Sequence, residues 1–336
     1  MMTLKAILAG VGRRGKWALD VIGGDPRFMA VAVVDTNPDF LREAQLALGL
    51  PDHALFADLS AALKQTECDV VVACTPTATH APLARLAFAA KKHFLVEKGM
   101  TMNWHEANTL VREAHEAGVK FCVAQNYRYH PVESAVTEVL GDPAHEHNPG
   151  RLGIVDMIQH RYRPDPRTLN YPYAMVWDMS CHHMDLLNAW LGEAVRVTAV
   201  SSNPYWSGYE HDADIAAVIE YQGNVICHYV LTHAATITTN RLILQGDRGA
   251  LRGYDIAGLQ FYPKPLAQLE SSDPIECKIA SQPPSEQRVV DAFYHYIVDG
   301  IEPGISGRNN LRTMAACEML VRSARDRRSV EASELM

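Results

Sequence analysis

Lys5-Ala6-Ile7-Leu8-Ala9 runs directly into Gly10-Val11-Gly12-Arg13-Arg14-Gly15, and this junction decides the first domain. A short apolar run, three spaced glycines and a helical pattern over residues 14–22 form the strand–turn–helix entry that receives a dinucleotide. Gly10 permits the tight turn, Gly12 lets the backbone approach a pyrophosphate, and Gly15 allows close packing of helix on strand. The helix N-terminus offers unsatisfied N–H groups and a positive dipole end to the phosphates. Asp35 closes the next apolar run, 20 residues past Gly15, where a carboxylate accepts from the adenosine ribose hydroxyls. A 2′-phosphate about 4 Å from that carboxylate meets repulsion of a few kcal/mol at an effective dielectric of about 20. Asp35 therefore favours NAD over NADP. Arg13 and Arg14 weigh the other way, because a guanidinium near the ribose accepts a phosphate.

Outward from this junction, short apolar runs at 5–9, 29–34, 69–74, 93–97 and 119–124 alternate with helical patterns at 14–22, 38–48, 80–90 and 103–117. Asn103 and Glu106 are spaced as a capping box, and Gly118 stands where a helix stop belongs. Strands alternating with helices imply a doubly wound parallel α/β sheet, here a Rossmann domain over residues 1–127. Beyond it the pattern changes to one helix at 131–140 and strand-like runs at 152–162, 195–201, 214–221, 225–233, 241–246 and 259–262. Gln222-Gly223-Asn224 reads as a hairpin turn. Two helices, 286–298 and 311–325, close the chain. Residues 128–336 are thus expected to form an α+β domain with a large, mostly antiparallel, open-faced sheet, its last helix returning to the first domain.

The bulk numbers exclude several classes. A 336-residue chain with 48% hydrophobic and 21% charged residues forms two ordinary globular cores. A net charge of −8 argues against a nucleic-acid or anionic-membrane surface. Seven scattered cysteines, none spaced C-x-x-C, fit reduced cytosolic thiols better than a disulfide framework or zinc ribbon. The apolar run at 4–11 is too short to span a membrane, and its charges follow it instead of preceding it as in a signal peptide. A cytoplasmic protein is expected.

Four further motifs follow in order: Cys74-Thr75-Pro76-Thr77-Ala78-Thr79-His80; Val96-Glu97-Lys98-Gly99; Gln125-Asn126-Tyr127-Arg128-Tyr129-His130-Pro131; and Trp177-Asp178-Met179-Ser180-Cys181-His182-His183-Met184-Asp185. Together they resemble the glucose–fructose oxidoreductase, inositol dehydrogenase and MocA-type (Gfo/Idh/MocA) family of NAD(P)-dependent oxidoreductases. The resemblance runs over nearly the whole chain. It implies that Thr75, Pro76 and His80 lie along the cofactor with Glu97, Lys98 and Gln125, that Lys98 stands beside the reacting carbon, and that Asp178 and His182 serve the substrate. It implies as substrates the secondary alcohols of sugars, inositols and related polyols, or the matching ketones, and assembly as a homodimer or homotetramer through the C-terminal sheet. Gly99 departs from the family's proline. A cis bond before a non-proline residue costs roughly 2.5–4 kcal/mol, so a trans Lys98-Gly99 peptide is expected, with the aim of Lys98 in question.

Read from the residues alone, Asp178, His182 and Asp185 share one face if 177–191 is helical. Oxidising an alcohol requires removing the hydroxyl proton as hydride departs, and a neutral imidazole does this near pH 7. An ammonium near the same oxygen stabilises developing alkoxide charge. His182 is therefore assigned as acid/base, Lys98 as electrostatic partner and Asp178 as the positioning carboxylate. Asp185 is read evenly as a structural ion pair or a substrate contact, His183 as packing, and Cys181 as apolar filler. His145 and His147 are read as solvated. Arg128, Tyr162, Arg163 and Trp177 are candidate substrate residues, with Arg161, Tyr171 and Tyr173 nearby. The segment 160–167 mixes cations with an aromatic, but overall acidity favours a polar or anionic substrate over nucleic acid. A metal constellation of Asp178, His182, Asp185 and residues 211–214 competes, and no metal is expected. Two other functions stay open: glycoside cleavage through transient oxidation and elimination, and a non-catalytic NAD-binding regulator.

Overall fold

β1 (Leu4–Ala9) lies between β2 (Phe28–Val34) and β4 (Val70–Ala73) in a six-stranded sheet. β3 (Leu55–Phe56), β5 (His93–Val96) and β6 (Phe121–Val123) complete the order β3-β2-β1-β4-β5-β6, every pairing parallel. The computed structural model describes residues 2–165, 171–265 and 272–335. All four residues of β4, Val-Val-Val-Ala, are buried, as expected of a strand covered on both faces. Strand order reverses between β1 and β4, opening at their carboxyl ends the crevice where α/β sheets bind ligands.

Helices α1 (Lys16–Gly24), α2 (Pro38–Leu48), α3 (Leu59–Gln65), α4 (His80–Ala89) and α5 (Trp104–Ala117) connect the strands. Side-chain oxygens of Asn37, Asp58 and Asn103 cap α2, α3 and α5, and Gly118 ends α5 in the left-handed conformation at φ 71. β3 and α3 carry no sequence expectation. A two-residue strand and a seven-residue helix are too short to show a period.

Residues 2–126 and 283–314 form one unit, and 127–282 with 315–335 the other. Residues 283–314 thus belong to the parallel sheet's unit. Arg27 pairs with Asp25 and Asp291, Gln287 donates to Asp25 at 2.9 Å, and Tyr294 donates to the Met2 carbonyl at 2.9 Å. These contacts hold residues 285–298 on the parallel sheet's unit, and they join positions too distant in sequence for local patterning to reveal.

In the second unit α6 (Pro131–Gly141) and β7 (Leu152–Tyr162) are followed by α7 (Cys181–Leu191) and by β8 (Ala194–Ser202), β9 (Asp214–Tyr221), β10 (Val225–Thr232), β11 (Ala234–Gly246), β12 (Gly249–Gly253), β13 (Leu259–Pro263) and β14 (Ile275–Glu276). α8 (Ser285–Val298) belongs to the first unit, α9 (Gly307–Asp326) contributes residues to both, and β15 (Val330–Glu331) pairs with β8. The nine strands described are ordered β14-β13-β12-β11-β7-β10-β9-β8-β15, antiparallel except β7 with β10. Their alternation is clean. Val155, Met157, Ile219, Cys227, Tyr229 and Leu231 are buried, whereas Ile154, Val218 and Ile226 are exposed on the opposite face. No helix among the described residues is long and apolar enough to cross a membrane.

Candidate active site

The glycine turn is built as its spacing requires. Gly10 has φ 79, and a Cβ there would lie 2.6 Å from the Cys74 carbonyl oxygen. A Cβ on Gly15 would lie 1.9 Å from the Gly10 carbonyl oxygen, and one on Gly12 would lie 2.6 Å from the Phe40 ring. Asp35 is anchored by both carboxylate oxygens, accepting from the Val11 N–H and the Asn37 N–H, each at 2.9 Å. This orients a carboxylate at the end of β2, beside the turn. Arg13 and Arg14 are exposed. Gln125, two residues past the end of β6, is fully buried, and neither polar atom of its carboxamide has a hydrogen-bond partner. A glycine cradle, a fixed acceptor and an unsatisfied buried amide at the carboxyl ends of parallel strands fit a dinucleotide.

The two remaining loops of this unit are tied together. Both ring nitrogens of buried His80 meet carbonyls, Nδ1 that of Gly99 at 2.8 Å and Nε2 that of Thr75 at 2.9 Å. Burial holds this imidazole below the usual histidine range, against the pull of the two carbonyls. Thr79 donates to the Thr75 hydroxyl at 2.7 Å, and Pro76 is exposed at the turn. Glu97 accepts from the Trp17 indole at 2.9 Å and from the Lys98 N–H at 3.0 Å, linking α1 to the lysine loop. Lys98 itself is buried. The Lys98-Gly99 peptide is cis, which corrects the expectation of trans. That expectation weighed only the intrinsic preference of a non-proline bond and had no view of the contacts from His80 and Glu97 that bracket this peptide.

In the second unit the site helix begins differently from its sequence pattern. Val176–Ser180 form a π-turn that leads into α7. Such turns are rare in helices and recur at functional sites. Asp178 lies on this turn with Arg163 Nη1 3.4 Å from Oδ2, and Trp177 is buried. His182 is 4% exposed, and its imidazole stacks on the Tyr127 ring with centroids 3.9 Å apart and planes 11° apart. Asp185 is buried and paired with Arg128, which donates through Nε at 2.5 Å and Nη2 at 2.9 Å. The guanidinium expected at the substrate is engaged by this carboxylate. His183 meets the Tyr229 hydroxyl at 2.9 Å, and that hydroxyl donates to Ser180 at 2.7 Å. Burial and then the Arg161 guanidinium push His183 down to about 3.

Other sequence candidates separate. Tyr162 is 66% exposed at the end of β7, on the open face. Tyr171 is partly buried, its hydroxyl pushed up to about 12 by burial and the Asp178 charge. The Tyr173 N–H is taken by Asp212 at 2.6 Å, and His145 Nδ1 accepts from the His147 N–H at 3.1 Å. Pro166 and Arg167 lie outside the described residues. Of the competing metal constellation, Asp185 pairs with Arg128 and Asp212 Oδ1 accepts from the Tyr173 N–H. No group of three metal-ligating side chains occurs among the described residues. Sequence reasoning missed the Tyr127 stack, the π-turn and His233. The buried phase of β10 continues through Leu231 to His233, which was the available signal for the last of these.

With this geometry in place the comparisons fall into line. Residues 4–125 match the oxidoreductase family model with an NAD-binding Rossmann fold, and residues 148–252 match the GFO/IDH/MocA C-terminal domain. The chain belongs to the GFO/IDH/MocA oxidoreductase family. It is 27% identical to a D-apiose dehydrogenase of Paraburkholderia graminis, over 91% of this chain and 83% of that one. It is 26% identical to an inositol 2-dehydrogenase of Rhizobium meliloti, over 98% and 99%. An oxidoreductase from Agrobacterium radiobacter, solved with NAD+, L-tartaric acid and magnesium, superposes with a TM-score of 0.84 at 20% identity over the full length of both chains, a likeness of fold. The family membership makes this protein an oxidoreductase whose first domain binds a nicotinamide dinucleotide.

Proposed function

We propose that the protein is an NAD-dependent dehydrogenase that interconverts a secondary alcohol and a ketone of a sugar, inositol or related polyol. The observation that carries this reading is His182 near the start of α7, buried and ring-stacked on Tyr127, with Asp178 on the π-turn that leads into the same helix. An imidazole held flat against Tyr127 has a fixed orientation, which a proton acceptor for a hydroxyl requires. The bound nicotinamide supplies the hydride chemistry. His182 takes the hydroxyl proton, Asp178 accepts a hydrogen bond from the substrate and positions it, and the Lys98 ammonium stabilises negative charge on the reacting oxygen. Glycines 10, 12 and 15, with Asp35, Thr75, Pro76 and Gln125, line the dinucleotide in this reading. Glu97 and His80 position the lysine loop. The relatives' names, D-apiose and inositol dehydrogenase, support the polyol class.

A panel of sugars, inositols and sugar acids, assayed by NADH absorbance with NAD and NADP separately, tests the proposal. His182→Ala is expected to lower kcat by about 10²- to 10⁴-fold, the usual worth of a general acid–base group. Near-wild-type kcat in that variant would end the assignment. We further assign the protein to the cytoplasm, since all seven cysteines are buried and none forms a disulfide. We also assign it a homodimeric or homotetrameric state built on the exposed sheet face of Ile154, Val200, Val218 and Ile226. Light scattering of Ile226→Glu should show a smaller species than wild type, and an unchanged mass refutes the face.

A further inference from the structure

β7 carries its side chains alternately to the buried and the open face, and Val155 and Met157 fix which is which. Arg161 continues the buried phase, and Arg163 follows it just beyond the strand's end. Both reach the π-turn at Val176–Ser180: Arg161 Nη1 lies 3.3 Å from Met179 Sδ, and Arg163 Nη1 lies 3.4 Å from Asp178 Oδ2. The two guanidinium groups are not equally satisfied. Asp178 answers Arg163, whereas Arg161 has no carboxylate partner among the described residues and meets only a thioether, a weak acceptor.

Its surroundings do not supply the missing charge. His183 is buried with Nδ1 against Tyr229, and burial with the Arg161 charge keeps its ring neutral. His233 is fully buried, its Nδ1 3.2 Å from the Tyr209 hydroxyl and its Nε2 without a partner. Burial and then Arg163 push it down to about 4, so it too is neutral. Asp165 is exposed beyond the end of β7, and Asp212 faces the Tyr173 N–H. Among the described residues, the side of the π-turn that faces β7 therefore holds one cation in excess and one buried ring nitrogen in need of a partner.

We propose that Arg161 is a specificity-determining residue that receives a carboxylate of the substrate, making the substrate a sugar acid or carboxylated polyol. This rests on the dehydrogenase reading above. The planar fork of arginine matches a carboxylate with two parallel hydrogen bonds. A single surplus charge matches a monoanion, which favours a carboxylate over the dianionic phosphate of a sugar phosphate. Asp178 and His182 then act on a hydroxyl of the same molecule.

The test compares acids with neutral counterparts on the NAD-supplemented protein: D-glucuronate against D-glucose, D-galacturonate against D-galactose, and D-gluconate against D-glucitol, with D-glucose 6-phosphate as the dianion. At least one acid should exceed its neutral partner in kcat/KM by about 10- to 100-fold, the worth of a hydrogen bond between charged groups. Arg161→Met, which keeps an apolar chain against Met179, should collapse that ratio mainly through KM, and Arg161→Lys should restore part of it. Should the methionine variant fold poorly, the wild-type ratio and the lysine variant decide. A wild-type ratio near one, a ratio unmoved by Arg161→Met, or preference for the phosphate overturns the inference and leaves the dehydrogenase reading standing. Absence of turnover on every acid and every neutral compound, with NAD bound, overturns both.

Discussion

Asp35 shows how much one side chain decides. Its two oxygens are held by the N–H groups of Val11 and Asn37, so the carboxylate has no freedom to swing away from a ribose phosphate. The repulsion expected of NADP is therefore not relieved by rotation. Asp35→Ser keeps a short acceptor for the backbone while removing the charge, and Arg13 is exposed in the same turn. The ratio of kcat/KM for NADP over NAD is expected to rise about 10²-fold, equivalent to a few kcal/mol of removed repulsion. Steady-state kinetics with both cofactors measures it. A ratio that stays put would mean that Asp35 does not select the cofactor.

At the scale of elements, what could be read from the sequence was what repeats locally. The glycine turn, the β1-to-β2 spacing and the Asn103 cap are contained in short windows, and the fold realises each of them. The helix that carries His182 was legible as a helix, but its first turn was not. A π-turn inserts one residue into the period, so Asp178 does not stand over His182 as a regular i, i+4 neighbour would. Which polar residues on that helix serve structure depended on partners far away in sequence. Asp185 forms its ion pair with Arg128, 57 residues earlier in the chain. Tyr127 lies inside a motif noticed for its neighbours, and its stacking on His182 joins positions 55 apart, with no local periodicity to announce it. The cis peptide at Lys98 was misread for the same reason, since residue type alone argued for trans.

At the scale of the whole molecule, the two neutral buried histidines of the second unit give that unit its response to acid. His183 is held down to about 3 and His233 to about 4, in each case by burial first and an arginine second. The unfolded chain takes up a proton on each ring near its ordinary value of about 6.5, whereas the folded chain does not. Stability is therefore fully present above that value and falls as pH drops, until the folded pKa values are reached. Each histidine contributes a slope of about 1.4 kcal/mol per pH unit in this window, so the pair removes roughly 4 kcal/mol between about pH 6.5 and pH 5. Paired carboxylates do not share the window. Asp25, for example, is held to about 2 by Arg27, so its contribution is lost only below the ordinary carboxylate range. Urea titrations at the two pH values should show this loss, and His233→Gln, which cannot take up a proton, should remove close to half of it. A pH-independent midpoint across the window, or an undiminished slope in the variant, would mean that these rings are not the groups that take up protons as the second unit unfolds.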